Sequence, residues 1–323
     1  MQLSDLSASG TIRMGAGAAV ATIRARALEW DLPVVEAGGE IMVHLWQGQL
    51  ILRQGQSDMR LSVTAPDRRL LQVIRDSVTE LMEAEGIPVV WDKVDAGALA
   101  PGLMVLEKTA VWPLSPNFLR VRLTGDVAPL ATGRGIHFRL LLPPRNRPPV
   151  WPMIGVTGRT VWPAGDDALH RAVYTVSGLG SEWVEFDLFV HGDSPACDWA
   201  TASALGSSVG LMGPGGGTCP EADDLWLFGD QTALPAIRRM LSEATGQVRA
   251  FVFADPDDLG LLTQDARVTL STDLLHDLHK ADLPQDAFVW FAGREDQARA
   301  ARKHLESQGR GKGSFACAAY WSA

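Results

Sequence analysis

Cysteine, long apolar runs and surplus positive charge are all scarce in this sequence, and each scarcity closes off a class of protein. The three cysteines, Cys197, Cys219 and Cys317, are odd in number and far apart. Neither a disulfide framework nor a zinc site follows from them, and they read as reduced packing residues. No stretch approaches the roughly 18 unbroken apolar residues of a membrane span, and the opening MQLSDLSASG lacks the basic segment and apolar run of a signal peptide. Stable membrane insertion is therefore not expected, and a cytoplasmic location is. Acidic side chains outnumber basic ones, 38 to 29, for a formal net charge of -9. Phosphate backbones need clustered Lys and Arg, so nucleic acid is not an expected partner. An anionic substrate has to be caught by local basic groups, not by the overall field.

What is present is an ordinary globular balance: 46% hydrophobic and 21% charged residues in 323, enough for two or three domains. The first hundred residues read as an α+β unit. Ala18–Trp30 is rich in helix formers and stops before Pro33. Short strand-like runs follow at Ile41–Trp46, Gln49–Arg53 and Arg60–Thr64. Asp67 fits an N-cap for a helix from Arg68 to about Glu85, whose Leu70, Leu71, Val73, Ile74, Val78 and Leu81 recur at helical spacing. Ala96–Gly102 reads as a linker.

From Leu103 to about Gly213 the pattern is all-β. Phe118–Leu123 alternates, Trp183–Val190 does so in part, and His137–Leu142 begins the same way before turning wholly apolar. Proline and glycine punctuate the runs, so a barrel or sandwich is expected. After about Pro214 strand and helix alternate. Strands are expected at Asp224–Phe228, Val248–Ala254, Arg267–Ser271 and Ala287–Ala292, with helices at Ala233–Ala244 and Glu295–Ser307. Such alternation implies a parallel sheet covered on both faces.

The turn Gly229-Asp230-Gln-Thr232 follows a buried strand and opens a helix, where a dinucleotide pyrophosphate can sit on the helix N-terminus. Thr232 fits its N-cap, and the alternative is an ordinary βα turn that touches no cofactor. Gly215-Gly216-Gly217 lacks a following Lys-Ser or Lys-Thr, so it is an interdomain turn and not a Walker loop. No convincing catalytic triad or metal set is found.

Several segments, in order, carry a family likeness: Arg171-Ala-Val-Tyr174-Thr175-Val; Phe189-Val-His191-Gly192 with Ser194-Pro195-Ala196 and Trp199-Ala200; Gly213-Pro214-Gly215; Leu227-Phe-Gly229-Asp230-Gln-Thr232-Ala233-Leu234-Pro235-Ala236-Ile237; Phe291-Ala292-Gly293; and Ala319-Tyr320-Trp321. Over residues 103–323 the chain resembles the siderophore-interacting proteins, FAD-binding ferric-siderophore reductases of the ferredoxin-reductase-like superfamily. The N-terminal unit resembles a small uncharacterised domain sometimes fused to them.

The resemblance implies a multidomain α+β and α/β chain. Its parts are an accessory α+β domain over 1–98, a six-stranded antiparallel β-barrel holding FAD over 103–214, and a parallel-sheet α/β domain binding NADPH or NADH over 222–323. It implies electrons passing from NAD(P)H through FAD to a ferric siderophore, with ferrous iron released for iron acquisition. Two alternatives are a general flavin reductase with another acceptor such as ferredoxin, and a non-catalytic flavin- or siderophore-binding module. It places Tyr174 beside the flavin ring, Thr175 near the ring's N5 edge and Arg171 on the diphosphate. The family arginine lies two residues before the tyrosine, whereas Arg171 lies three before, so a bulge is needed to bring both to one face. The second family arginine is Ser177 here.

His191, Gly192, Ser194, Pro195 and Ala196 are implied as the diphosphate loop and helix start, with Trp199 packing that helix on the barrel. Gly213 belongs to the family turn. Gly229, Asp230, Thr232 and Ala233 are implied for the nicotinamide dinucleotide. For His191 the residues alone also allow a hydrogen-bonded strand-end histidine. Arg238, Arg239 and Arg249 are candidates for an NADP 2′-phosphate. Arg294 or Glu295 faces the nicotinamide, and Arg145, Arg147, Arg310 and Lys312 are candidates for catching an anionic siderophore.

Overall fold

The computed structural model describes residues 6–322 other than Trp46, Gly133, Arg134, Asp193 and Lys312. The end of the expected Ile41–Trp46 strand and the candidate Lys312 thus lie outside the described residues. The chain divides into two compact units. One holds the residues up to Leu103 with Pro148–Ala168, and the other holds Met104–Arg147 with the residues from Leu169.

The first unit is a sheet with two helices. Its elements are β1 (Leu6–Ile12), α1 (Ala16–Glu29), β2 (Val34–Ala37), β3 (Glu40–Leu45), β4 (Gly48–Gln54), β5 (Met59–Ala65), α2 (Arg68–Ala84) and β6 (Val90–Trp91). The strand order is β2-β3-β4-β5-β1-β6, with antiparallel pairing throughout. Along β5 every second residue is buried, so the sheet has one core face and one wetter face. Ile74, Val78 and Met82 of α2 and Ala19, Ile23 and Ala27 of α1 cover that core face. The Asp67 carboxylate accepts from Leu70 N at 2.7 Å, the N-cap expected from the sequence. Three strands of this sheet were not expected, among them the two-residue β6. β1 is a run of small polar residues, and β2 is an exposed edge directly after Pro33.

The second unit begins with β7 (Leu103–Ser115), β8 (Phe118–Thr124), α3 (Ala128–Thr132) and β9 (His137–Leu142). Residues 148–168 then leave it for a hairpin of β10 (Met153–Ile154) and β11 (Thr160–Val161), which belongs to the first unit. There Gln72 Nε2 donates to Gly158 O at 2.8 Å, Thr160 N donates to the Asp76 carboxylate at 2.9 Å, and Arg159 pairs with Glu83 at 2.6 Å. The sequence reading placed this excursion in the barrel.

The barrel resumes with β12 (His170–Leu179), β13 (Trp183–Phe189), α4 (Pro195–Ala202) and β14 (Ser208–Gly215), and closes in the order β12-β13-β8-β7-β14-β9. Phe138, Phe186, Val121, Leu123, Leu140 and Leu211 fill its interior, joined by Ala196, Trp199 and Ala200 of α4. Lys108 holds the far end of α4. Its ammonium, 1% exposed, donates to the carbonyls of Trp199 at 3.4 Å, Ala200 at 2.9 Å and Ser203. Trp199 O also accepts from Ser203 N at 3.0 Å, so the ammonium chiefly serves the Ala200 and Ser203 carbonyls at the helix end.

The remainder is a parallel sheet in the order β17-β16-β15-β18-β19. It is built from β15 (Asp224–Asp230), α5 (Leu234–Glu243), β16 (Gln247–Phe253), α6 (Pro256–Leu259), β17 (Val268–Leu270), α7 (Leu274–Lys280), β18 (Phe288–Arg294), α8 (Glu295–Ser307) and β19 (Phe315–Trp321). Both faces are covered, with separate apolar clusters around Leu227 and Ile237 and around Phe228 and Phe291. β19 is a strand not expected from the sequence. Among the described residues no helix is long and apolar enough to cross a membrane.

Candidate functional site

Side-chain parity along β12 decides which residues can meet a ligand. Its ladder with β9 is unbroken from His170↔Leu142 to Thr175↔His137, so no bulge separates Arg171 from Tyr174. The irregularity in β12 lies later, between Val176 and Gly178. Arg171 and Tyr174 therefore stand on opposite faces. Tyr174 turns inward: its ring lies 4.9 Å from that of Phe186 and 6.3 Å from that of Phe138, both core residues. Tyr174 is partly buried, packed against the barrel core, and its partner across the ladder is the inward-facing Phe138. Burial also holds its phenol well above the usual range.

The other face carries Arg171, Val173 and Thr175 in alternation; Arg171 and Val173 are exposed, while Thr175, at 5%, is buried where the strip ends. Val173, 62% exposed, stands two residues after Arg171 and opposite Arg139 of β9. At the end of this strip the Thr175 hydroxyl shares a hydrogen bond with His137 Nδ1 at 3.1 Å, and His137 Nε2 shares another with the Tyr320 hydroxyl at 3.3 Å. The chain Thr175–His137–Tyr320 joins the barrel to β19 inside one unit. Burial, and secondarily the nearby Arg239 cation, lower the His137 pKa to about 4, so the imidazole is neutral at neutral pH. Gly216, at φ 71°, lies against this ring; a Cβ there would meet His137 Cδ2 at 2.7 Å. Sequence reasoning missed His137, Arg139 and Val173, since no local motif marks them.

The loop after β13 behaves in part as expected. Ser194 Oγ accepts from Cys197 N at 3.3 Å, Pro195 occupies the first turn of α4, and Ala196 is buried beneath it. Trp199 packs in the barrel core. Gly192 has open space where a side chain would project. His191 lies stacked on Phe189, ring centroids 6.1 Å apart, and its Nδ1 is 3.0 Å from Gly192 O. Arg145 pairs with Asp198 at 2.9 Å in the first turn of α4. Gly213 is a packing glycine, since a Cβ would lie 2.9 Å from Phe138 Cβ.

At the β15–α5 corner the side-chain cap is Asp230, not Thr232: it caps the 3-10 turn Gln231–Ala233 that leads into α5, whose own N-cap is Ala233. Asp230 Oδ1 accepts from Thr232 N at 2.9 Å and from Thr232 Oγ1 at 2.5 Å, while Oδ2 accepts from Trp321 Nε1 at 2.7 Å. A carboxylate takes this place because its two oxygens serve three donors at once. Gly229 and Gly293 permit the close fit. A Cβ on the first would meet Ala233 Cβ and Ile237 Cδ1 at 2.8 Å, and one on the second would lie 2.9 Å from Asp230 Oδ2.

The arginines proposed for a 2′-phosphate have protein acceptors. Arg238 serves Asp258 O and pairs with Asp187, Arg239 pairs with Glu243 at 2.6 Å and donates to barrel carbonyls, and Arg249 pairs with Asp224 at 2.6 Å. Arg310, expected to catch substrate, is buried and donates to the carbonyls of Ala287, Leu283 and Pro284. Arg294 is held by Asp296 and lies over Trp321 at 5.9 Å, while Glu295 pairs with Arg299.

The outward strip fits a flavin dinucleotide in charge and length. Arg171 to Thr175 spans about 13 Å at the rise of a strand. The exposed Arg171 and Arg139 suit a diphosphate, and the neutral His137–Thr175 pair suits the polar edge of a ring. Gly192 leaves room for backbone approach beside it.

The family likeness of the sequence motifs is matched by known proteins. The family model described as the siderophore-interacting FAD-binding domain matches residues 107–218, and that of the siderophore-interacting protein matches residues 222–323. The ferric vibriobactin reductase ViuB of Vibrio cholerae is 31% identical over 156 residues, 45% of this chain and 56% of that protein. The ferric acinetobactin reductase of Acinetobacter baumannii is 28% identical over 172 residues, 46% of this chain and 59% of that one. The chain thus spans about half the length of the curated relatives it matches. The crystal structure of a siderophore utilization protein from T. fusca superposes with a TM-score of 0.56 at 28% identity, covering 71% of this chain and 95% of that one. Both family matches begin beyond the first unit's sheet, at residue 107 or later.

Proposed function

We propose, starting from the fact that the chain belongs to the siderophore-interacting protein family, that it is a ferric-siderophore reductase working in the cytoplasm with NAD(P)H as donor. FAD is the cofactor of the barrel domain. When bound, FAD takes up an electron pair and gives it out singly, which is what a two-electron donor and a one-electron iron substrate require.

The observation that carries the reading is the strip Arg171–Val173–Thr175 with Arg139 beside it, ending at a neutral histidine shared with the last strand. In this reading Arg171 and Arg139 hold the diphosphate, assisted by the Gly192 backbone and by the start of α4, with its Ser194 cap, Pro195 and Ala196. Val173 supplies an apolar floor for the ring. Thr175 is oriented by His137 and offers its hydroxyl to the ring's polar edge. Tyr320 and Trp321 wall the donor side, the second fixed by Asp230.

At the β15–α5 corner the nicotinamide dinucleotide approaches the partly exposed Gln231–Thr232 turn, with Gly229 and Ala233 buried beneath it and the Thr232 N–H already used by Asp230. The negative Asp230 sits where a pyrophosphate would approach, so the donor is bound weakly there. The ferric siderophore is substrate. Its iron, once ferrous, binds hard oxygen donors less tightly and leaves.

The test uses FAD-loaded protein under anaerobic conditions. NADPH or NADH should bleach the flavin absorbance, and adding a ferric siderophore with a ferrous chelator should restore it while the ferrous complex forms. No bleaching with either nucleotide, or recovery with ferredoxin alone, overturns the proposal.

A further inference from the structure

A second cavity lies wholly within the first unit, and nothing in the reductase reading uses it. It has a volume of about 340 Å³ and sits between α1, α2 and the sheet. Its walls are Ile23 and Ala27 of α1, Val43, Leu45 and Leu50 of the sheet, and Ile74, Val78 and Leu81 of α2. The cause is legible in the sequence. α1 turns Ala27 inward at the cavity, and a side chain that short cannot fill the gap to α2 and the sheet. The cavity is a cleft partly open to solvent at Trp30, Glu80 and Ala84.

The mouth is amphipathic. Trp30, 45% exposed, and Arg26 stand at the end of α1, the guanidinium 5.1 Å over the indole ring. Arg26 and Glu80 are the charged groups among the lining residues. They differ in aim. Glu80, its side chain 71% exposed, sits in solvent beside Arg159. Arg26 is more buried, and its acid partner Glu29, at 3.6 Å, is itself exposed and within one turn, a pairing of little strength. A positive group held by an aromatic ring at the entrance of an apolar chamber selects a ligand with a negative head and a hydrocarbon body.

We propose that the first unit binds a small carboxylic acid of about ten carbons, its body in the cavity and its carboxylate on Arg26. A cavity of 150 Å³ holds benzene, so one roughly twice as large holds a body of this size. The site is separate from the flavin strip in residues and in chemistry, and it makes the first unit a ligand-sensing or ligand-carrying part of the chain.

The experiment titrates the full-length, FAD-saturated protein with decanoate, decanol and decylamine by calorimetry, all below their micelle concentrations. Decanoate should bind at one site per chain, more tightly than decanol, with decylamine weakest. Arg26→Gln should weaken decanoate roughly tenfold and leave decanol nearly unchanged, since only the acid uses the charge. Ala84→Trp, which fills the mouth from an exposed lining position, should abolish binding of both. Far-ultraviolet circular dichroism confirms that each variant folds. Absence of saturable decanoate binding, decylamine binding as tightly as decanoate, or decanoate binding that ignores both substitutions overturns the proposal.

Discussion

The Tyr320 hydroxyl lies 3.3 Å from Nε2 of His137, joining residues 183 positions apart in the sequence. Through this contact the last strand of the α/β sheet is fixed to the first residue of a barrel strand, and Thr175 completes the chain on the other ring nitrogen. A neutral imidazole suits this post, because it can donate from one nitrogen and accept at the other.

His137 therefore makes stability depend on pH. Its folded pKa is about 4 against an ordinary 6.5. The unfolded chain binds the proton more readily, so stability is complete above about pH 6.5 and is lost as pH falls toward 4. The full effect is at most about 3 kcal/mol. Denaturant midpoints measured between pH 4.5 and 7.5 should fall on acidification, and His137→Gln should flatten that dependence. An equal slope in the variant contradicts the assignment.

Lys108 is a buried cation whose hydrogen-bond acceptors are carbonyls, with the Trp199 ring 5.4 Å from its ammonium. Burial lowers its pKa, and the three carbonyls at the end of α4 hold the ammonium. Lys108→Met keeps the aliphatic stem but takes the donor from the Ala200 and Ser203 carbonyls, at a cost of roughly 1–3 kcal/mol. Calorimetry should show a melting temperature lower by several degrees, and an unchanged value would refute the capping role.

Val173 occupies the outward position two residues after Arg171 and offers no aromatic face. Val173→Tyr should supply one, tightening FAD by about two- to tenfold, the usual worth of an aromatic pair. Fluorescence quenching of free FAD on titration reads the change directly. Weaker binding would place the ring elsewhere.

Asp230 joins three donors at the β15–α5 corner. Asp230→Ala should cost roughly 2–3 kcal/mol by unserving Thr232 and Trp321, and should free the Thr232 N–H for phosphate. The KM for the nicotinamide should fall while the melting temperature drops. A rise in KM would mean that the carboxylate assists the donor.

Much of this was legible in residues whose local chemistry is decisive. Asp67 capped its helix as read, and the strand–turn–helix at Gly229 formed where expected. What escaped was set by tertiary parity. A single-residue shift in a strand moves a side chain to the other face, so Tyr174 could not be placed from its motif alone. Asp230 took the side-chain cap from Thr232 because Trp321, ninety-one positions away, also needs its second oxygen. Arg310 looked like a surface cation, yet it serves three carbonyls that only the folded loop brings together. The 148–168 hairpin left the barrel because its partners, Gln72 and Asp76, lie on a helix far back in the chain.

The face of β12 that meets the flavin is best tested by an equilibrium titration of apoprotein with FAD in two variants. Arg171→Gln should weaken FAD by roughly tenfold or more through loss of a charge-assisted bond, while Tyr174→Phe should leave the affinity unchanged. The reverse pattern, with FAD sensitive to Tyr174→Phe and indifferent to Arg171→Gln, would contradict the outward strip as the cofactor's seat.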